Sequence, residues 1–239
     1  MTIPILFENG AFLAINKPPG IVVNRAESVK GETVQEWIEK KYPISNIQYP
    51  ISNDFISRAG IVHRIDKETS GILLIAKTPD AFTQLQRQFK ERIVRKTYLA
   101  IVHGELKPEK GEIRAPVGRL PWNRERFGIV PGGKESVTKY KVISNFHPPS
   151  GGSNSQQEFS LVELYPETGR THQIRVHMKY INHPILGDYL YAGRKTSRDD
   201  RQWAPRVMLH AWKLICLDPS SSVPIEIIAP IPDDMNSII

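Results

Sequence analysis

A chain of 239 residues with 40% hydrophobic and 24% charged side chains can bury a real core, and none of its apolar runs approaches the roughly 18 residues of a membrane span. Its only cysteine, Cys216, excludes an intrachain disulfide and suits a reducing cytoplasm, while the opening MTIPILFENG lacks the basic start and cleavage site of a secretory leader. The formal charge of +7 points toward a polyanionic partner, although a solvated basic surface would give the same number.

Taken in order, the chain predicts an α+β protein in which strands dominate. Ile3 to Phe7 and Phe12 to Ile15 form a hairpin across Glu8-Asn9-Gly10, where Asn-Gly offers the positive φ angles of a tight turn. Thr33 caps a helix whose Val34, Trp37 and Ile38 recur at helical spacing, ending before Pro43. Ser45 to Ala59 reads as loop. Ile72 to Lys77 is an apolar strand, and Thr78-Pro79-Asp80 starts a helix with Phe82, Leu85 and Phe89 on one face. Thr97 to Val102, Val137 to Ile143 and Phe159 to Tyr165 read as strands, the last two separated by HPPSGGSNSQQ, a surface loop. Ile174, Met178 and Ile181 have the spacing of a short helix, and Val207 to Leu217 and Pro224 to Ile228 supply the last strands. There is no internal repeat, and a single domain over residues 1–239 is expected.

Two segments carry chemistry. In GIVHRIDKETSGILLIAK, residues 60–77, a dense polar cluster delivers an acid, Asp66, into a hydrophobic strand, and loops at strand ends are where catalytic groups commonly sit. The second is GRTHQIRVHM, residues 169–178, followed by HPILGD. Basic residues also gather: Arg87, Lys90, Arg92, Arg95 and Lys96 along one segment; Arg119, Arg124 and Arg126 around Trp122 and Phe127; and Arg194, Lys195, Arg198, Arg201 and Arg206 around Trp203. Cations interleaved with aromatics suit phosphate contact and base stacking.

HRIDKETSG, RKTYLAIVHGE, TGRTHQIRVHM and HPILGDYLYAG, in that order and at these separations, resemble the RluA-type family of RNA pseudouridine synthases, and the likeness runs from INKPPGIVV at Ile15 to RVMLHAWKL at Arg206. The resemblance implies the pseudouridine synthase fold, a long, bent, mostly antiparallel mixed sheet flanked by helices with an RNA-binding cleft. Some members carry an N-terminal S4 domain, for which no room is expected ahead of Phe7. It further implies an isomerase acting on RNA, ribosomal RNA of the 23S type first and transfer RNA second; a cytoplasmic monomer without a membrane partner is expected alongside.

Isomerisation of uridine breaks the N1–C1′ bond, turns the uracil and joins C5 to C1′, with no redox change and no external group. A carboxylate can act there as nucleophile or base, as it does at anomeric carbons in glycosidases. Asp66 matches the family's required acid. Whether it attacks C1′, attacks C6 or abstracts the 2′ proton stays open at this stage. An ionised acid in a dry cleft needs a fixed cation nearby. The family places the arginine of HQIR, here Arg175, in an ion pair with that acid; Arg170 is the competing candidate and is expected instead to bind substrate, as is His172. Tyr98 shares a strand face with Ala100 and Val102, where its ring could stack on uracil and its phenol move a proton, though a core tyrosine has the same pattern. Arg64 matches the family arginine that holds a flipped-out nucleotide, offsetting part of the unstacking cost.

Other readings are weaker. The seven histidines suggest no metal site, because His172 and His177 stand five apart, off a common helical face, and no HExxH or paired-cysteine pattern occurs. Gly132-Gly133-Lys134 and Pro18-Pro19-Gly20 are turns and not nucleotide-binding loops, so no cofactor is expected. A non-catalytic RNA-binding factor would have no need to keep Asp66, Tyr98 and Arg175 together. A glycosidase or nucleoside hydrolase would need a second matched carboxylate or an Asp cluster, and the only near neighbour, Glu68, is expected to face solvent.

Overall fold

The computed structural model describes residues 1–27, 29–43, 53–147 and 157–239. The central part of the HPPSGGSNSQQ connection and residues 45–52 of the expected loop lie outside them. The chain divides into two compact units, one of residues 1–95 with 211–230, the other of residues 96–210 with 231–239. Among the described residues, no helix is long and apolar enough to cross a membrane.

In the first unit, β1 (Ile5–Glu8) and β2 (Phe12–Lys17) pair as the expected antiparallel hairpin, and β2 pairs antiparallel with β3 (Ser70–Ala76). The turn works differently from the expectation. Neither Asn9 nor Gly10 has a positive φ. The Asn9 side chain instead accepts from the backbone N–H groups of Ala11 and Phe12, both at 2.9 Å, so an Asx turn replaces the primed turn. β10 (Leu209–Leu217) lies beside β3, and β11 (Pro224–Ile228) pairs antiparallel with β10.

Helix α1 (Val34–Lys41) begins with a full capping box, Thr33 and Glu36 satisfying each other's backbone N–H groups. The expected loop is interrupted by α2 (Asn53–Ser57), whose Phe55 is buried edge-on against Phe82. Helix α3 (Pro79–Lys90) is capped by Thr78 and buries Phe82 and Leu85 in one core with Phe12, Ala14, Ile72, Leu74 and Leu214. The Gln88 amide fastens this helix to the end of β10, donating to Leu217 O and accepting from Leu217 N, each at 2.8 Å.

Gly71 sets how β3 passes its neighbour. Its φ is +108°, and a Cβ there would stand 2.2 Å from the backbone oxygen of Ala211. Gly71→Ala is therefore expected to destabilise the protein by on the order of 2–5 kcal/mol, read as a lowered urea midpoint, because neither backbone can yield cheaply. A change below about 0.5 kcal/mol would mean the strands part more easily than this contact implies.

The second unit is built on β4 (Arg95–His103), whose residues from Lys96 onward belong to it, β9 (Phe159–Pro166), β8 (Val137–Phe146) and β5 (Lys110–Arg114), antiparallel in the order β4-β9-β8-β5. A second hairpin, β6 (Val117–Leu120) with β7 (Asn123–Ile129), stands apart from this sheet. Strands β5 to β7 were not anticipated, because their alternating polar residues carry little apolar signal. Helix α4 (Gln173–Tyr180) fulfils the short-helix expectation, with Ile174 and Met178 buried. Two further short helices are α5 (Arg194–Asp200) and α6 (Asp233–Asn236).

Candidate active site

In the first unit, the loop before β3 carries Arg64 and Asp66 and is held from several directions. Its start bridges to β3 through Ile61 and Ile75, and the His63 ring accepts the Leu74 backbone N–H at Nε2, 2.9 Å away. The Phe89 ring packs 4.6 Å from His63. Beyond the acid, Thr69 N–H donates to Asp66 O at 3.1 Å, closing a turn. The next carbonyl, Lys67 O, accepts from Gly20 N–H at 2.8 Å and from the Lys17 ammonium at 3.0 Å.

Lys17 is fully buried, and its Nζ also donates to Pro18 O and Ile21 O at 2.8 and 3.0 Å. A lysine that satisfies all three ammonium hydrogens on backbone carbonyls locks the INKPPG turn against the loop bearing Asp66. Sequence reasoning attached no role to it. The signal was a lysine at the end of an otherwise apolar strand, directly before two prolines. Asp66 is half-buried and Arg64 exposed. Glu68, expected to face solvent, is half-buried as well.

In the second unit, the GRTHQ turn is built around Gln173. Its Oε1 accepts from Thr168 Oγ1 at 2.7 Å and from Arg170 N–H at 3.0 Å, while its Nε2 donates to Val137 O and Thr138 Oγ1, both at 3.0 Å. The turn reaches the helix through His172 in the left-handed region, φ 56°. One turn along, His177 is buried between Thr138 Oγ1 and Ala115 O, and burial pushes its pKa down, consistent with a neutral structural imidazole. Gln173 and His177 thus tie α4 to β8, which explains why GRTHQIRVHM reads as one block.

Arg175 is only 4% exposed. It makes a bidentate pair with the fully buried Asp188, Nε to Oδ2 and Nη2 to Oδ1, both at 2.8 Å. Asp188 Oδ1 also accepts from the backbone N–H groups of Leu190 and Tyr191. The guanidinium lies 5.0 Å from the Tyr191 ring centre, and the Tyr191 hydroxyl accepts from Phe127 N–H at 3.1 Å and hydrogen-bonds His172 Nδ1 at 2.8 Å. Arg175 and His172 are therefore brought together through Tyr191, and Phe127 of the second hairpin closes on the same group, its ring 5.6 Å from that of His172. Asp188 was missed as a partner although it lies in HPILGD, because a Gly-Asp pair in a turn gives no hint of a distant arginine.

The turn before Asp188 is fixed in its own right. Asp200 Oδ2 accepts from Gly187 N–H at 3.0 Å and faces His103 Nε2 at 2.9 Å, so β4 and α5 set the turn that sets Arg175. Tyr98, also on β4, is half-buried, and Arg170 is exposed. Arg206 departs from the basic surface expected around Trp203. It is buried and paired with Asp234 at 2.6 and 2.8 Å, a structural contact. By contrast Trp122 is 79% exposed at the tip of the second hairpin, and Arg119 stacks on Phe127 at 5.1 Å. No group of three or more metal-ligating side chains occurs among the described residues.

Lys96 is a different kind of cation. Burial alone pulls its pKa down to about 8 from 10.5, and among the described residues no carboxylate pairs with it. Lys96 is half-buried, and an ammonium partly desolvated without a counter-charge opposes folding: the cost is full below the folded pKa and disappears as the pH rises through that of the unfolded chain. Lys96→Met is accordingly expected to stabilise the protein at pH 7 by on the order of 1–3 kcal/mol, with the advantage vanishing near pH 10.5. Urea unfolding of both proteins at the two pH values checks this, and a less stable variant at pH 7 would contradict it.

Comparison with known proteins adds three findings. The model of a family described as RNA pseudouridylate synthase matches residues 11–180, a span that contains Asp66, Tyr98 and Arg175. The chain is 38% identical over 98% of its length to a Nitrosomonas europaea protein named ribosomal large subunit pseudouridine synthase D, and 38% identical over all of its length to an uncharacterized RNA pseudouridine synthase of Bacillus subtilis. It spans 64% and 72% of those two proteins. Among solved structures, human RNA pseudouridylate synthase domain containing 1 superposes with a TM-score of 0.73 at 29% identity, covering 96% of this chain and 83% of the human one.

Proposed function

The chain belongs to the RNA pseudouridylate synthase family, whose members isomerise uridine to pseudouridine in RNA, and we propose that this one acts on large-subunit ribosomal RNA with Asp66 as its reacting carboxylate. The α+β fold is that of the family. The observation that carries the proposal is the family match itself, which spans Asp66, Tyr98 and Arg175 with all three side chains intact. The ribosomal substrate is supported by relatives from Nitrosomonas and Neisseria that are named for the large subunit.

In the proposed reaction the N1–C1′ bond breaks, C5 joins C1′, the C5 hydrogen leaves to water and N1 takes up a proton. Asp66 supplies the carboxylate for the steps at the sugar or base. Its loop is locked by Lys17, His63 and the Thr69 turn, which limits the reorganisation the acid must undergo. Tyr98 receives the uracil ring and assists proton transfer at C5. Arg175 contributes fixed positive charge, held in orientation by Asp188 and the Tyr191 ring. His172 and Arg170 contact the RNA from the turn ahead of α4.

Arg64 holds the extruded nucleotide. Arg64→Ala is expected to slow modification of a uridine stacked in a folded stem-loop at least about tenfold more than that of one in an unstructured oligomer, since only the first requires unstacking. Single-turnover rates at saturating enzyme on both RNAs make the comparison, and an equal loss would remove the flipping role.

Substrate identity is tested by mapping pseudouridines through carbodiimide-dependent reverse-transcription stops, in RNA from cells with and without the gene. Loss of a stop in large-subunit RNA supports the proposal. Loss confined to transfer RNA would replace the substrate while leaving the activity in place.

A further inference from the structure

Building on the RNA-isomerase reading, we infer that Lys96 is a phosphate anchor, its ammonium seated beneath Gly169 to hold a phosphodiester group of the RNA strand whose base is received at Tyr98. Lys96 lies two positions before Tyr98 on β4, so both side chains leave the strand on the same side. Their separation, about 6.7 Å along the strand, is on the scale of one nucleotide. Nζ comes 3.9 Å from the point where a Cβ on Gly169 would stand, and among the described residues, chain neighbours aside, no other atom lies within 4 Å of that point. Gly169 is itself exposed, as is Arg170 that follows it in the chain, so the cation sits under an open rim.

The kind of ligand follows from the charge. Among the described residues, Lys96 has no carboxylate or carbonyl partner, and the protein loses stability by keeping it charged. A neutral uracil carbonyl would not offset a partly desolvated positive charge. A phosphodiester carries a full negative charge at every pH at which RNA is intact, and binding it releases counterions. The charged groups on the adjoining segments are Glu167, which is held by Lys139 at 2.7 Å, and exposed Arg170. The phenol of Tyr165, near the end of β9, is pushed up to about 12 by burial and Glu163, above the range titrated below.

The test is equilibrium binding of a fluorescein-labelled RNA stem-loop with one loop uridine, measured against salt at pH 7 and against pH from 6.5 to 9.5. For Lys96→Met, the slope of log affinity against log salt is expected to fall by about 0.7, the contribution of one phosphate contact on a single strand. Wild-type affinity is expected to weaken above about pH 8, as the free lysine loses its proton. Lys96→Arg keeps its charge, and should bind RNA while losing that pH dependence. Salt slopes and pH profiles identical in Lys96→Met and wild type would overturn the assignment, whatever happens to turnover. Tritium release from 5-³H-uridine RNA by the wild-type protein, run in parallel, reports separately on the isomerase reading. Its absence alongside an altered salt slope would sink the activity and leave the phosphate contact standing.

Discussion

Asp66→Asn is expected to reduce isomerisation by roughly 10³-fold or more while leaving RNA affinity within about twofold of wild type. The asymmetry follows from where the residue stands. Asp66 is one half-buried acid on a loop whose backbone is fixed by Lys17, His63 and Thr69, so an isosteric amide should disturb neither the loop nor the phosphate contacts that dominate binding. Tritium release and filter binding on the same RNA separate the two effects. Residual activity within tenfold of wild type would move the reacting carboxylate elsewhere.

Arg175→Met is expected to have the largest effect on the folded state. It leaves Asp188 charged at zero exposure with only backbone donors, and breaking a buried pair from one side costs about 3–5 kcal/mol. That is a large share of the 5–15 kcal/mol typical of a folded domain. Adding Asp188→Asn removes the stranded charge and keeps the oxygen that accepts from Leu190 and Tyr191. The double variant should therefore recover much of the stability, and the two changes should not add. Activity separates structure from chemistry: the double variant is expected to fold and remain inactive, because the fixed cation is gone. Recovery of turnover along with stability would confine Arg175 to a structural role.

What the sequence disclosed depended on how local each cause was. Helices α1 and α3 were legible because their stop and start signals lie within a few residues: Thr33 with Glu36, and Thr78 with Pro79. Strands β2, β3, β4 and β9 were legible because they are apolar runs bounded by turns. KGEIR and NRERFGI gave no such signal. β5 and β7 are strands because β8 and β6 pair with them, which is a tertiary cause. The hairpin between β1 and β2 was correctly placed for a different reason from the one at work, since Asn9 acts through its side-chain oxygen.

The site divides in the same way. Asp66, Tyr98 and Arg175 stood out through a resemblance that spans most of the chain, not through burial or spacing. Asp188, Lys17 and the unpaired state of Lys96 could not be read, because each depends on what distant segments bring or fail to bring: Arg175 for the first, Lys67 O for the second, and, among the described residues, the lack of any carboxylate beside the third. Arg206 misled for a related reason. A basic residue near a tryptophan looks the same in sequence whether it meets RNA or a buried aspartate.

The central claim meets its most direct test in one incubation of the purified protein with RNA carrying both 5-³H-uridine and ¹⁴C-uracil rings. Isomerisation requires that tritium pass to water while all of the ¹⁴C stays in the polymer and elutes as pseudouridine after digestion. Release of ¹⁴C as free uracil would show hydrolysis of the same bond. Retention of both labels in uridine, in RNA that the protein demonstrably binds, would contradict catalysis altogether.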